Sequence, residues 1–160
     1  MQESTDYPPF EHLLEFFHLR SEDDFPPWTD RHHLARFLHH TMKPWEDTEA
    51  DIHRALDYCF SEAEGKGGFM VLAGMDRRLV GAIVMLDTGM GGYVPEHILL
   101  FISVDPELRG RGLGHRLIEK ALKSCEGSVK LHVEYDNPAK RLYERVGFVS
   151  KYAEMRHVPA

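Results

Sequence analysis

An unbroken apolar run, Ile98-Leu99-Leu100-Phe101-Ile102, leads through Ser103, Val104, Asp105 and Pro106 into Arg109-Gly110-Arg111-Gly112-Leu113-Gly114, and an amphipathic helical pattern follows at once. A strand that turns through a loop of glycine and arginine into a helix start is built to hold phosphate. Glycines let the backbone approach an oxyanion closely, and the N–H groups of the first helical turn point at it. The arginines add fixed positive charge and forked donors. Spacing excludes two better-known phosphate loops. The nucleoside-triphosphate loop requires Gly-Lys followed by Ser or Thr, and no such lysine is present. The dinucleotide fingerprint requires Gly-x-Gly-x-x-Gly, whereas this loop reads Gly110-x-Gly112-x-Gly114.

The flanking segments read as helices followed by strands. Phe10, Leu13, Leu14, Phe17 and His18 fit a helical period over residues 7–19, and Pro26-Pro27 break it. Asp30 is placed to cap a helix through about Met42, with Leu34, Phe37, Leu38 and Thr41 on one face. Thr48 with Asp51 resembles a capping box for a helix to about Ala63. Residues 69–73 and 79–86 read as strands joined by a hairpin turn, and 98–104 as a central strand buried on both faces. After the loop, Leu113, Leu117, Ile118, Ala121, Leu122 and Cys125 share a helical face. Residues 129–135 alternate as a strand with one wet face, and Asn137 caps a helix that begins at Pro138 and stops at Gly147. The last strand or strands are expected in 148–158.

The loop spacing, Arg109-x-x-Gly112-x-Gly114, resembles the acyl-coenzyme A loop of the GNAT superfamily of N-acetyltransferases. Asn137-Pro138-Ala139-Lys140-Arg141-Leu142-Tyr143-Glu144-Arg145-Val146-Gly147-Phe148 resembles that superfamily's later helix. The two motifs occur in the expected order, separated by a helix and a strand. The resemblance covers roughly residues 68–157 and is loose over the first 65.

The resemblance implies an α/β (α+β) fold: a mixed, largely antiparallel central sheet with a splayed central strand pair, flanked by helices and preceded by a helical N-terminal segment. It implies one domain over 1–160, in which about 1–65 forms a helical acceptor side and about 68–157 a cofactor-binding core. Acetyl-CoA would be the co-substrate. The main chain of Ile102, Ser103 and Val104 would bond its pantetheine arm, and Arg109, Gly110, Arg111, Gly112, Leu113, Gly114 and His115 would take its pyrophosphate. Asn137 would contact the amide arm besides capping its helix. Tyr143 would be the general acid at the thioester sulfur, a position that simple core packing of the helix stripe would also explain. Glu96, with His97 beside it, is the candidate base at the start of the central strand.

The implied activity is direct acetyl transfer to a primary amine, with a small cationic amine as acceptor. Two other readings stay open on the same cleft: acetylation of a protein amino group, and a non-catalytic acyl-CoA-binding regulator. Many relatives pair, so a homodimer is compatible with the resemblance. A net charge of −7 argues against nonspecific binding to nucleic acid. No apolar run approaches the ~20 residues that span a bilayer, and no signal segment is read at the start, so a cytoplasmic location is expected. Two cysteines supply neither a disulfide framework nor a four-ligand zinc site. His32-His33 and His39-His40 repeat at seven residues, about 10.5 Å along a helix, too far apart for one ion, so no metal is expected.

Overall fold

The computed structural model describes residues 13–160. Five strands lie in one sheet in chain order: β1 (Leu14–Leu19), β2 (Gly68–Met75), β3 (Arg78–Asp87), β4 (His97–Val104) and β5 (Val129–Lys130). The first three pairings are antiparallel and the β4–β5 pairing is parallel. Helices α1 (Arg31–Thr41) and α2 (Glu49–Cys59) connect β1 to β2. Helix α3 (Leu113–Lys123) follows the glycine loop, and α4 (Ala139–Arg145) follows β5. This is the expected mixed, largely antiparallel sheet flanked by helices.

Local chemistry sets the helix ends. The Asp30 carboxylate accepts from His33 N–H at 2.8 Å, and the Thr48 hydroxyl accepts from Asp51 N–H at 3.1 Å, so both expected caps are formed. Arg31 then ties the helical arm together, donating to Glu22 at 2.5 Å and to Asp57 at 2.8 Å.

The sheet divides the core into two layers. Leu34, Leu38, Ile52 and Leu56 of α1 and α2 pack with Met70, Leu72, Val84 and Phe101 on one face. Leu113, Leu117, Ile118 and Ala121 of α3 pack with Val71, Ile83, Met85 and Leu99 on the other. Each fully buried leucine contributes roughly 1.5–3 kcal/mol, so Leu38→Ala or Leu117→Ala would cost about 2–5 kcal/mol.

Four local expectations need correction. Residues 14–19 are a strand, not the end of a helix. Leu14 and Phe16 pack in the α3 layer while Phe17 and Leu19 pack in the α1–α2 layer. An edge strand covered on both faces loses the polar alternation that marks strands, and its apolar residues imitate a helical period. Residues 7–12 of that expected helix lie outside the described residues. Second, β4 packs into both layers as expected, Leu99 and Val104 in one and Phe101 in the other, but Leu100 departs from that pattern. Val84 pairs with Phe101 and Met85 with Leu99, so Leu100 bulges without a partner and is 36% exposed. Third, α2 stops at Cys59 and the pairing of 129–135 is confined to Val129 and Lys130. Fourth, 148–160 contain no strand. Val149, Tyr152, Met155 and Val158 recur at intervals of three and are exposed, so they present no single sheet face.

Candidate active site

The β4–β5 pair opens beside the glycine loop. Only His97–Val129 and Ile98–Lys130 are paired, after which the two strands part. Asp105 N–H donates to Val80 O at 2.8 Å, so the main chain of Asp105 faces β3. Strand alternation then turns the N–H and C=O groups of Val104 and Ile102 to the opposite, unpaired edge. Ser103 directs its main chain to β3 and buries its side chain. Of the three residues expected to meet a pantetheine arm, Ile102 turns both backbone groups to that edge and Val104 its N–H, the Val104 carbonyl being held by Arg109 Nε.

The loop is shaped for an anion. Gly110 and Gly112 adopt φ of +77° and +81°, a region that penalises other residues, and a Cβ at either would meet open space. Leu113 is buried and anchors the start of α3, whose first turn carries no acidic residue. Gly114 lets α3 begin close to α4, since a Cβ there would lie 3.1 Å from Leu142 Cδ2. Gly110, Arg111 and Gly112 are exposed, and the positive end of the α3 dipole carries no carboxylate of its own first turn. The nearby acid is neutralised: Arg78 donates to Asp105 Oδ2, and Asp105 Oδ1 accepts from Glu107 N–H at 2.9 Å. Burial works against ionisation of Asp105, but these hydrogen bonds outweigh it and hold its carboxyl below the ordinary value. Asp105 is thus a turn cap, as its position suggests.

The remaining candidates separate into those committed elsewhere and one that is not. Arg109 is committed to two carbonyls, its Nε donating to Val104 O at 3.2 Å and its Nη2 to Thr41 O at 2.5 Å. His115 pairs with Glu119 at 3.1 Å. Asn137 accepts from Ala139 N–H at 2.9 Å and donates to Glu134 at 3.1 Å, so its side-chain amide is engaged as a cap at both ends. The Glu96 carboxylate accepts from Ser128 N–H at 2.7 Å where β4 and β5 are joined. The His97 ring sits between Asp87, at 2.9 Å, and the Glu126 carbonyl, at 3.1 Å. Tyr143 differs. It is 8% exposed in the cluster containing Val104 and Leu113, stands edge-on to Phe148, and its hydroxyl has no hydrogen-bond partner among the described residues. Burial first, then the Glu134 carboxylate, pushes its phenol up to about 12.

The profile of the "Acetyltransferase (GNAT) family" matches residues 13–148. The chain belongs to the GNAT acetyltransferase family. An acetyltransferase of Pectobacterium atrosepticum is 29% identical over 113 residues, spanning 67% of this chain and 71% of that one. Among solved structures, a transcriptional regulator from Bacillus halodurans superposes with a TM-score of 0.66 at 16% identity, covering 91% of this chain and 99% of its own. The aminoglycoside N-acetyltransferase AAC(6')-Iy, solved in complex with CoA, superposes with a TM-score of 0.65 at 13% identity, covering 91% and 94%. The GNAT fold and an acyltransferase activity follow from these matches.

Two features of this GNAT acetyltransferase escape sequence reasoning. Partial burial, then the charges of Asp51 and Glu134, raises the Asp47 carboxyl, so Asp47 feels both acids, while Asp51 itself is engaged by the Thr48 hydroxyl and Arg54. Glu134 also acts on Tyr143, which links that one acid to the tyrosine. The Arg109–Thr41 bond spans 68 residues, and no local signal announces it. Among the described residues, no group of three or more His, Cys, Asp or Glu could hold a metal ion, and no helix is long and apolar enough to cross a membrane.

Proposed function

We propose that this chain moves an acetyl group from acetyl-CoA directly to a primary amine, with a small cationic amine as acceptor. The observation that carries this reading is the parting of β4 from β5 after two residue pairs, beside a loop whose glycines and helix start face solvent. The pyrophosphate is assigned to the N–H groups of Gly110, Arg111, Gly112, Leu113 and Gly114, and the pantetheine arm to the free edge at Ile102 and Val104. Tyr143 belongs to the same core cluster as Val104 and Leu113, on the side of that edge and loop.

In the transfer, the neutral amine attacks the thioester carbonyl, a C–N bond forms, the C–S bond breaks, and the nitrogen loses a proton to water. Tyr143 stays protonated through the neutral range and hydrogen-bonds the departing sulfur. Full transfer of a proton from a phenol near 12 to a thiolate of ordinary pKa ~8.5 is uphill by roughly 5 kcal/mol, so hydrogen bonding to the sulfur is the larger contribution. An alkylamine of pKa ~10.4 is neutral in only about one molecule in 2,500 at pH 7, so the transfer rate should rise with the neutral fraction as pH increases through the neutral range. An acyl-enzyme on sulfur is disfavoured, because burial pushes the Cys59 thiol to about 12 and the Cys125 thiol to about 11. Asp47, Asp51 and Glu134 support a cationic acceptor.

A thiol-release assay with acetyl-CoA across diamines, polyamines, aminoglycosides, amino acids and peptides tests this. Turnover is expected with small polycationic amines. Release only with peptides would replace the acceptor by a protein amino group, and CoA binding without any turnover would leave a regulator.

A further inference from the structure

We propose that Arg109 is a positioning residue that couples the donor loop to the acceptor-side helix α1, an inference that rests on the donor-loop reading above. Its guanidinium bridges two main-chain carbonyls from different parts of the fold. One is Val104 O, at 3.2 Å, on the unpaired edge of β4. The other is Thr41 O, at 2.5 Å, in the last residue of α1. The terminal carbonyls of a helix lack intrahelical partners and carry the negative end of its dipole, so a cation there both satisfies and stabilises the end. The same helix end is fastened internally: the Thr41 hydroxyl donates to Phe37 O at 2.7 Å, and Met42 N–H donates to Leu38 O at 3.1 Å.

Beyond Thr41 the chain runs to Asp47, whose carbonyl meets the His39 ring at 2.8 Å and whose carboxylate feels the charges of Asp51 and Glu134. Arg109 therefore connects the strand edge and loop assigned to the donor with the short segment that sets the acceptor's counter-charges. A donor arm laid along Val104 changes the surroundings of the carbonyl that Arg109 already holds, and Arg109 passes that change to the end of α1. The side chain is committed to these two carbonyls, so its effect on donor affinity is secondary.

Hydrogen exchange of the full chain with and without CoA tests the coupling in wild type, Arg109→Gln and Arg109→Lys. In wild type, CoA should slow amide exchange both in 109–116 and in 38–47. In Arg109→Gln, CoA affinity should change by less than about tenfold and the loop should still be protected, while the response of 38–47 disappears and KM for the amine rises about tenfold with a smaller change in KM for acetyl-CoA. Arg109→Lys should restore part of the 38–47 response. An intact 38–47 response in folded Arg109→Gln would overturn the proposal. So would outright loss of CoA binding in that variant, which would make the side chain a phosphate ligand. Failure of wild type to bind CoA would instead remove the donor reading, and the coupling with it.

Discussion

The Glu96 carboxylate accepts the Ser128 main-chain N–H at 2.7 Å and thereby joins the start of β4 to the start of β5. Gly127, at φ +105°, makes room for it, since a Cβ there would lie 2.4 Å from Glu96 Oε2. This joint stands at the point from which the two strands diverge. The hydrogen bond from Ser128, followed by one from its own backbone, holds the Glu96 carboxyl below its ordinary 4.5. An acid so stabilised is a weak base, and we propose that it serves instead to fix the vertex of the opening.

Glu96→Gln, which keeps an acceptor oxygen, should therefore fold and retain turnover within about threefold of wild type. Because the folded carboxyl titrates below the unfolded one, its stabilisation is present above the ordinary 4.5 and lost as pH falls through the depressed folded value. Thermal melts of wild type and Glu96→Gln should differ near neutrality and converge at the acid end. Loss of activity by several orders of magnitude in a folded Glu96→Gln would restore Glu96 as a base.

Tyr143→Phe should lower kcat by about 10²-fold while leaving the dissociation constant for CoA unchanged. The hydroxyl has no hydrogen-bond partner among the described residues, so its removal should leave Tm unchanged or slightly raised. With the phenol near 12, the ratio of wild-type to variant rates should stay flat from pH 6 to pH 10 in steady-state kinetics. A fall in that ratio within this range would show that the phenol ionises there.

Gly112→Ala isolates the loop. The φ of +81° makes a side chain cost about 1–2 kcal/mol, and its Cβ projects into the space assigned to phosphate. The variant should melt a few degrees lower and bind CoA at least about tenfold more weakly by calorimetry. Unchanged affinity would move the phosphate site elsewhere.

Asp47→Asn should trade stability against acceptor binding. The folded Asp47 carboxyl is raised above the ordinary 3.8, so its charge disfavours the fold at neutral pH; the variant should be the more stable there, and the difference should vanish below about pH 3.8. Glu134→Gln should act similarly on the amine. Each variant should raise KM for a cationic acceptor about five- to tenfold and weaken its salt dependence, measured by initial rates at two ionic strengths. KM values indifferent to both variants would remove the acidic group from the acceptor site.

What the sequence makes legible is what neighbouring residues decide. The Asp30 and Thr48 caps, the turn at Asp105 and the glycine loop all rest on contacts within a few residues, and each is found where its chemistry suggests. Non-local pairing decides the rest. Leu14 and Phe17 fit a helix until β2 offers them a partner strand, and Leu100 looks buried until a bulge turns it outward. Glu96 sits near where a base is expected, and no local pattern shows that Ser128, 32 residues later, donates to its carboxylate. Arg109 belongs to a recognisable motif, and only the fold brings Thr41 beneath its guanidinium.

The most direct test of the central claim is calorimetric titration of CoA into the folded chain. The expected result is saturable binding at one site per chain, weakened by competing pyrophosphate. A flat isotherm, or binding indifferent both to pyrophosphate and to Gly112→Ala, would contradict the assignment of the loop and the β4 edge as the donor site.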